Sequence, residues 1–78
     1  MNEGEEKKAA TGYVEEVLPD SLFRVRMSSD EEGVQGPLVL AYLAGKMRLH
    51  RIRVLVGDQV EMVLDPYGGR ARIVRRLT

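Results

Sequence analysis

The residues best suited to chemistry lie in one stretch, Gly45-Lys46-Met47-Arg48-Leu49-His50-Arg51-Ile52-Arg53-Val54. These ten residues hold four of the twelve Lys and Arg side chains and the single His. Fixed cations at this density neutralise phosphates and release counterions, the sequence-independent part of nucleic-acid affinity. Guanidinium groups add a planar fork that bonds bidentately or stacks on an exposed base. A second run of cations, Arg70, Arg72, Arg75 and Arg76, follows later in the chain.

Covalent chemistry finds little support in the same residues. His50 stands between Leu49 and Arg51 in a cationic stretch and has no evident acid to orient it. Without Cys or a second His, it has no partners for zinc. Asp30-Glu31-Glu32 lacks the alternating ligand positions of a calcium loop. Gly68-Gly69-Arg70 is too short to cradle a phosphate and lacks the Lys-Ser/Thr ending. Glu15 and Glu16 are adjacent on an expected strand, so they should point to opposite faces and cannot flank one bond. The expectation is a binding protein, not an enzyme, with no cofactor and no metal.

These cations need a scaffold. Gly12 to Leu18 reads as a first strand, and Pro19-Asp20-Ser21 as a turn. Leu22 to Ser28 has the clearest period of two: Phe23, Val25 and Met27 face inward, while Arg24 and Arg26 face outward to extend the basic surface. Ser28 to Pro37 is a loop by composition. Leu38 to Ala44, seven apolar residues, reads as a third strand. Lys46 to Leu49 can form one helical turn, after which Arg51 to Val54 alternates and returns to extended backbone. Gln59 to Leu64 is a fourth strand with Val60, Met62 and Leu64 inward. Asp65 to Gly69 is a loop, and Arg70 to Leu77 a fifth strand.

Seventy-eight residues allow one domain with one small core. Five short strands, with a short helix or turn between the third and fourth, predict an all-β, five-stranded antiparallel OB-fold barrel. Residues 11–78 form that domain. Residues 1–10 are read as a disordered acidic tail, with too little apolar surface to offset ordering. No apolar run approaches the roughly 20 residues that span a bilayer, and no signal peptide is visible. With no Cys, a cytoplasmic protein is expected. Net charge is zero, yet residues 1–37 carry nine acids and four bases, and residues 38–78 three acids and eight bases. That asymmetry predicts a basic face on a neutral molecule. Three Tyr and one Phe are few for threading a single strand by serial stacking, so docking on folded RNA fits better.

The chain resembles the bacterial translation initiation factor one family. The resemblance runs from Gly12 to Val74. It rests on Gly12-Tyr13-Val14-Glu15-Glu16-Val17-Leu18-Pro19, Phe23-Arg24-Val25, Gly45-Lys46-Met47-Arg48, Ile52-Arg53-Val54-Leu55, Gly57-Asp58-Gln59-Val60, Pro66-Tyr67 and Arg72-Ile73-Val74, in that order. It implies an OB fold that binds the small ribosomal subunit at the aminoacyl-tRNA site. The implied partners are rRNA, a neighbouring ribosomal protein and the other initiation factors. Lys46, Met47, Arg48 and Arg53 match the family's RNA-contacting loop; Tyr67 and Arg72 match a second contact surface. His50, Arg51 and Arg70 are added as rRNA contacts from their charge and position. A monomer with no membrane association is expected. The family's Lys-Asn-Tyr run is replaced by Leu49-His50-Arg51, its Thr and His before Gly45 by Leu40 and Tyr42, and loop 28–36 is longer than usual. The rival readings are an RNA chaperone of cold-shock type, against which the absence of an aromatic-rich strand counts, and a protein-interaction barrel that binds no RNA.

Overall fold

Five segments form strands, most of them with alternating side chains and the third apolar throughout: β1 (Lys8–Leu18), β2 (Leu22–Met27), β3 (Leu38–Leu43), β4 (Gln59–Leu64) and β5 (Ala71–Arg76). One helix, α1 (Gly45–Leu49), lies between β3 and β4. These come from a computed structural model that describes residues 8–29, 31 and 33–78. The strands close into a barrel in the order β1-β2-β3-β5-β4. A closed ring of five strands cannot alternate direction all the way round. The odd seam is β3–β5, which is parallel with Ala41 opposite Ala71 and Tyr42 opposite Arg72. The other four seams are antiparallel, so the expected antiparallel barrel carries one parallel pairing.

β1 is the longest strand because it serves two neighbours. Its first part pairs with β4, from Lys8 opposite Leu64 to Tyr13 opposite Gln59. Its later part pairs with β2, from Gly12 opposite Met27 to Leu18 opposite Leu22. The strand therefore begins at Lys8 and not at Gly12: ladder bonds to β4 order Lys8 to Ala10, which local composition assigns to the tail. Residues 1–7 of that expected tail lie outside the described residues, as do Asp30 and Glu32 of the acidic loop. Gly12 sits where the two pairings overlap. A Cβ there would lie 2.5 Å from the carbonyl oxygen of Arg26, so only glycine permits this approach.

A bulge follows. Val14 is opposite Val25, but the next pair is Glu16 with Arg24, leaving Glu15 as the extra residue. The bulge puts both carboxylates on the outer face, against the strict alternation expected of them. Glu15 accepts a hydrogen bond from Arg26 Nε at 3.0 Å, and Glu16 one from Arg24 Nη1 at 3.2 Å. Val14 then turns its backbone to the loop before β4: its N–H donates to Asp58 O at 3.0 Å, and its carbonyl accepts from Gly57 N at 2.8 Å. Gly57 has φ +94°, and Asp58 Oδ2 accepts from Leu55 N at 2.9 Å to close this turn.

The core is Val14, Phe23, Val25, Ala41, Met47, Val54, Val60, Met62, Ala71 and Ile73, with Met27, Val39, Leu43 and Leu64 packed at its margin. The inward sets expected for β2 and β4 are both found here. No polar side chain is buried among the described residues. Nearly all core members are strand residues; Met47 comes from α1 and Val54 from the segment after it. The segment that carries the cations is thus tied into the core at two points.

Candidate nucleic-acid interface

Five residues make too short a helix to hold itself together, so α1 depends on its surroundings. At its start, Ala44 N donates to Ile73 O on β5 at 2.8 Å, and Ala44 O accepts from Met47 N and Arg48 N. In its middle, Met47 enters the core and is only 2% exposed. At its end, Arg51 takes φ +54°, letting Arg51 N reach Arg48 O at 3.1 Å and Ile52 N reach Met47 O at 3.0 Å. These two bonds are the Schellman pattern, with Ile52 as the apolar residue that accompanies it. Beyond it, Arg76 Nη1 on β5 donates to the carbonyl of Arg53 at 2.8 Å.

This scaffold presents Lys46, Arg48, His50, Arg51 and Arg53 at the surface. Arg48, Arg51 and Arg53 line one open groove of about 500 Å³ at the end of the barrel, whose apolar lining includes Val17, Phe23, Ile52 and Val54. Met47, expected as an rRNA contact, is chiefly a core side chain: it lines the same groove but is only 2% exposed, because a helix this short needs one apolar anchor and Met47 is its only buried residue. Leu49 takes the opposite course and is 77% exposed beside the cations.

The second group divides. Arg70 and Arg72 line a smaller hollow of about 210 Å³ together with Tyr42, Val63, Asp65 and Pro66. Arg72 Nε is buried and has no hydrogen-bond partner among the described residues, a donor left unsatisfied in this conformation. Tyr67 stands apart from both hollows, 80% exposed on the β4–β5 loop. Asp65 shapes that loop: its Oδ1 accepts from Tyr67 N and its Oδ2 from Gly69 N, both at 3.0 Å, while its carbonyl accepts from Gly68 N. Asp65→Ala removes both side-chain acceptors and should cost about 1–3 kcal/mol of stability. Urea unfolding monitored by circular dichroism checks this. A loss below a few tenths of a kcal/mol would show that the loop holds without them.

Two cations expected on the basic surface are neutralised. Arg24 pairs with Glu16 and Arg26 with Glu15, while Arg75 pairs with Glu61 at 3.3 Å. The Glu15 hydrogen bond, opposed by burial and aided by its charge, raises the Arg26 pKa above its ordinary value. Among the described residues no carboxylate pairs with Lys46, Arg48, Arg51, Arg53, Arg70, Arg72 or Arg76. The basic face is therefore narrower than the sequence implies. It covers the α1 region and the β5 side, and the β1–β2 face is balanced. The parts that Tyr42 and Arg76 play here have no counterpart in the sequence reading. Tyr42 reaches Arg72 only through the parallel seam, and Arg76 reaches Arg53 across 23 residues. Neither proximity has a local signal.

Nothing among the described residues gathers three or more His, Cys, Asp or Glu at a metal site. No described helix is long and apolar enough to cross a membrane.

Residues 1–78 match the model of the family "Translation initiation factor 1A / IF-1". The chain belongs to this family. Translation initiation factor IF-1 of Rhodospirillum rubrum is 48% identical over 66 residues, which are 83% of this chain and 63% of that protein. The chain thus spans a little under two thirds of the length of that curated relative. The solution structure of the corresponding translation initiation factor from the Wolbachia endosymbiont of Brugia malayi superposes with a TM-score of 0.72 at 28% identity, covering 92% of this chain and 79% of that one. The barrel also recurs inside a longer protein: YjeQ of Thermotoga maritima matches with a TM-score of 0.70 and 25% identity over 91% of this chain and 23% of its own. Membership of the translation initiation factor 1A / IF-1 family agrees with the OB-fold barrel described above.

Proposed function

We propose that this protein is a translation initiation factor that docks on the small ribosomal subunit at the aminoacyl-tRNA site and assists assembly of the initiation complex. It acts as a cytoplasmic monomer without catalysis or cofactor. Its partners are rRNA, a neighbouring ribosomal protein and the other initiation factors. Arg48, Arg51 and Arg53 in the groove, with Lys46 and His50 beside them, contact the rRNA. Arg70 and Arg72 form a second contact, with Tyr67 exposed nearby. One observation carries the reading: a groove lined by three arginines, none paired with a described carboxylate, in a chain of this family.

The mechanism is rigid-body docking. The barrel holds the cations at fixed separations, so little ordering remains to be done on binding. Arginine charge displaces counterions from phosphates, and guanidinium planes bond or stack at bases. Scarce exposed aromatic residues suit a folded RNA surface over a threaded strand.

Filter binding tests the reading, with purified small subunits and an unstructured RNA titrated at several salt concentrations. Tight, salt-sensitive binding to subunits and weak binding to unstructured RNA is the expected result. Equal binding to both would favour the chaperone reading, and no RNA binding at all would favour a protein-interaction barrel.

A further inference from the structure

Arg51 occupies backbone that suits glycine. Its φ is +54°, and this left-handed turn is what allows the two bonds that end α1. Elsewhere among the described residues, positive φ belongs to Gly33, Gly57 and Gly68 or to the short side chains of Asp20 and Ser21. Arg51 alone joins this backbone to a long side chain. The conformation brings Cβ against the following carbonyl, a cost that glycine escapes.

The fold takes no hydrogen bond or ion pair from the side chain among the described residues. Guanidinium groups that bond within the described residues are those of Arg24, Arg26, Arg75 and Arg76. Arg51 is exposed, has no described carboxylate partner, and lines the groove between Arg48 and Arg53. We infer that Arg51 is kept in a glycine position for its ligand contact: its guanidinium donates to rRNA acceptors, and the chain gives up stability to place it. This inference rests on the rRNA-docking reading above. It also makes Arg51 a determinant of affinity separate from Lys46 and Arg48, whose helical backbone carries no such strain.

The test compares the full chain with its Arg51→Gly and Arg51→Asn variants by thermal unfolding and by titration with small subunits. Glycine should raise Tm by about 4–8 °C, the shift expected for a gain of about 1 kcal/mol in a domain this small. Asparagine, which tolerates this backbone, should raise it less. Both should weaken subunit binding by about tenfold, the loss of a charged hydrogen bond. Asparagine guards against the objection that glycine merely loosens the loop. If the contact is to a phosphate, the slope of log affinity against log salt also falls by about 0.7–0.9; if to a base edge, it does not. A lower Tm in both variants would show that the side chain supports the fold and overturn the inference. So would unchanged affinity in both while Arg48→Ala binds weakly, and that outcome would leave the docking reading standing. Wild-type protein that ignores small subunits would bring down the docking reading and this inference with it.

Discussion

Met47→Ala is expected to destabilise the protein by about 2–5 kcal/mol, the cost of emptying a well-packed core site. The total stability of a domain of this length is on the order of 4–12 kcal/mol, so the loss is a large share. Two features put the cost in this range. Met47 is only 2% exposed, and it is the single buried residue of a five-residue helix. Removing its side chain opens a void at the end of the barrel and frees α1, so the arginines of the groove lose their fixed spacing as well. Subunit affinity should therefore fall with stability even without a direct contact from Met47. Met47→Leu separates the two roles. It conserves volume, should cost less than about 1.5 kcal/mol, and should bind subunits like the wild type. Chemical denaturation and subunit binding of both variants check this. A leucine variant of normal stability that binds poorly would return Met47 to the contact surface.

Met47 also shows how far the sequence can be read. A Met inside a basic run, in a motif that resembles a family's RNA-contacting loop, reads as surface along with its neighbours. The side chain's direction depends on the helical phase of α1, and five residues are too few to show a period. Where the period is long enough, reading succeeds. Phe23 and Val25 on β2, and Val60 and Met62 on β4, lie in the core as their alternation requires. At Glu15 and Glu16 the same rule fails. A bulge inserts one residue and resets the phase, next to Val14, whose backbone bonds go to Gly57 and Asp58, more than 40 residues on. Pairing across the barrel likewise decides which cations remain available. Arg24 and Arg26 are legible as outward-facing, but their carboxylate partners on β1 become neighbours only once the register is known. Arg48, Arg51 and Arg53 are legible as a group because one short connection carries all three.

The double variant Arg48→Ala, Arg53→Ala should bind small subunits about a hundredfold more weakly while keeping most of its stability. Each truncated side chain removes a charged contact, worth about 1.5–3 kcal/mol where it is made, or roughly tenfold or more per site. Stability is spared because the wild-type side chains are exposed and no carboxylate pairs with them among the described residues. The bond that Arg76 makes in this region goes to the main-chain carbonyl of Arg53, which alanine retains. Salt dependence gives the sharper readout. If both arginines neutralise phosphates, the slope of log affinity against log salt should flatten by about 1.4–1.8, two contacts at 0.7–0.9 each. Removing two cations anywhere lowers the net charge by the same amount, so a control at a distant face is needed. Arg24→Ala with Arg26→Ala provides it, since those guanidiniums are already held by Glu16 and Glu15. That control should change the slope little, and its loss should appear in stability. If the two double variants shift affinity and slope equally, binding responds to net charge alone and the groove has no special part in it. If only Arg48→Ala, Arg53→Ala shifts them, the contact lies where the short helix and its left-handed end present an unpaired row of arginine.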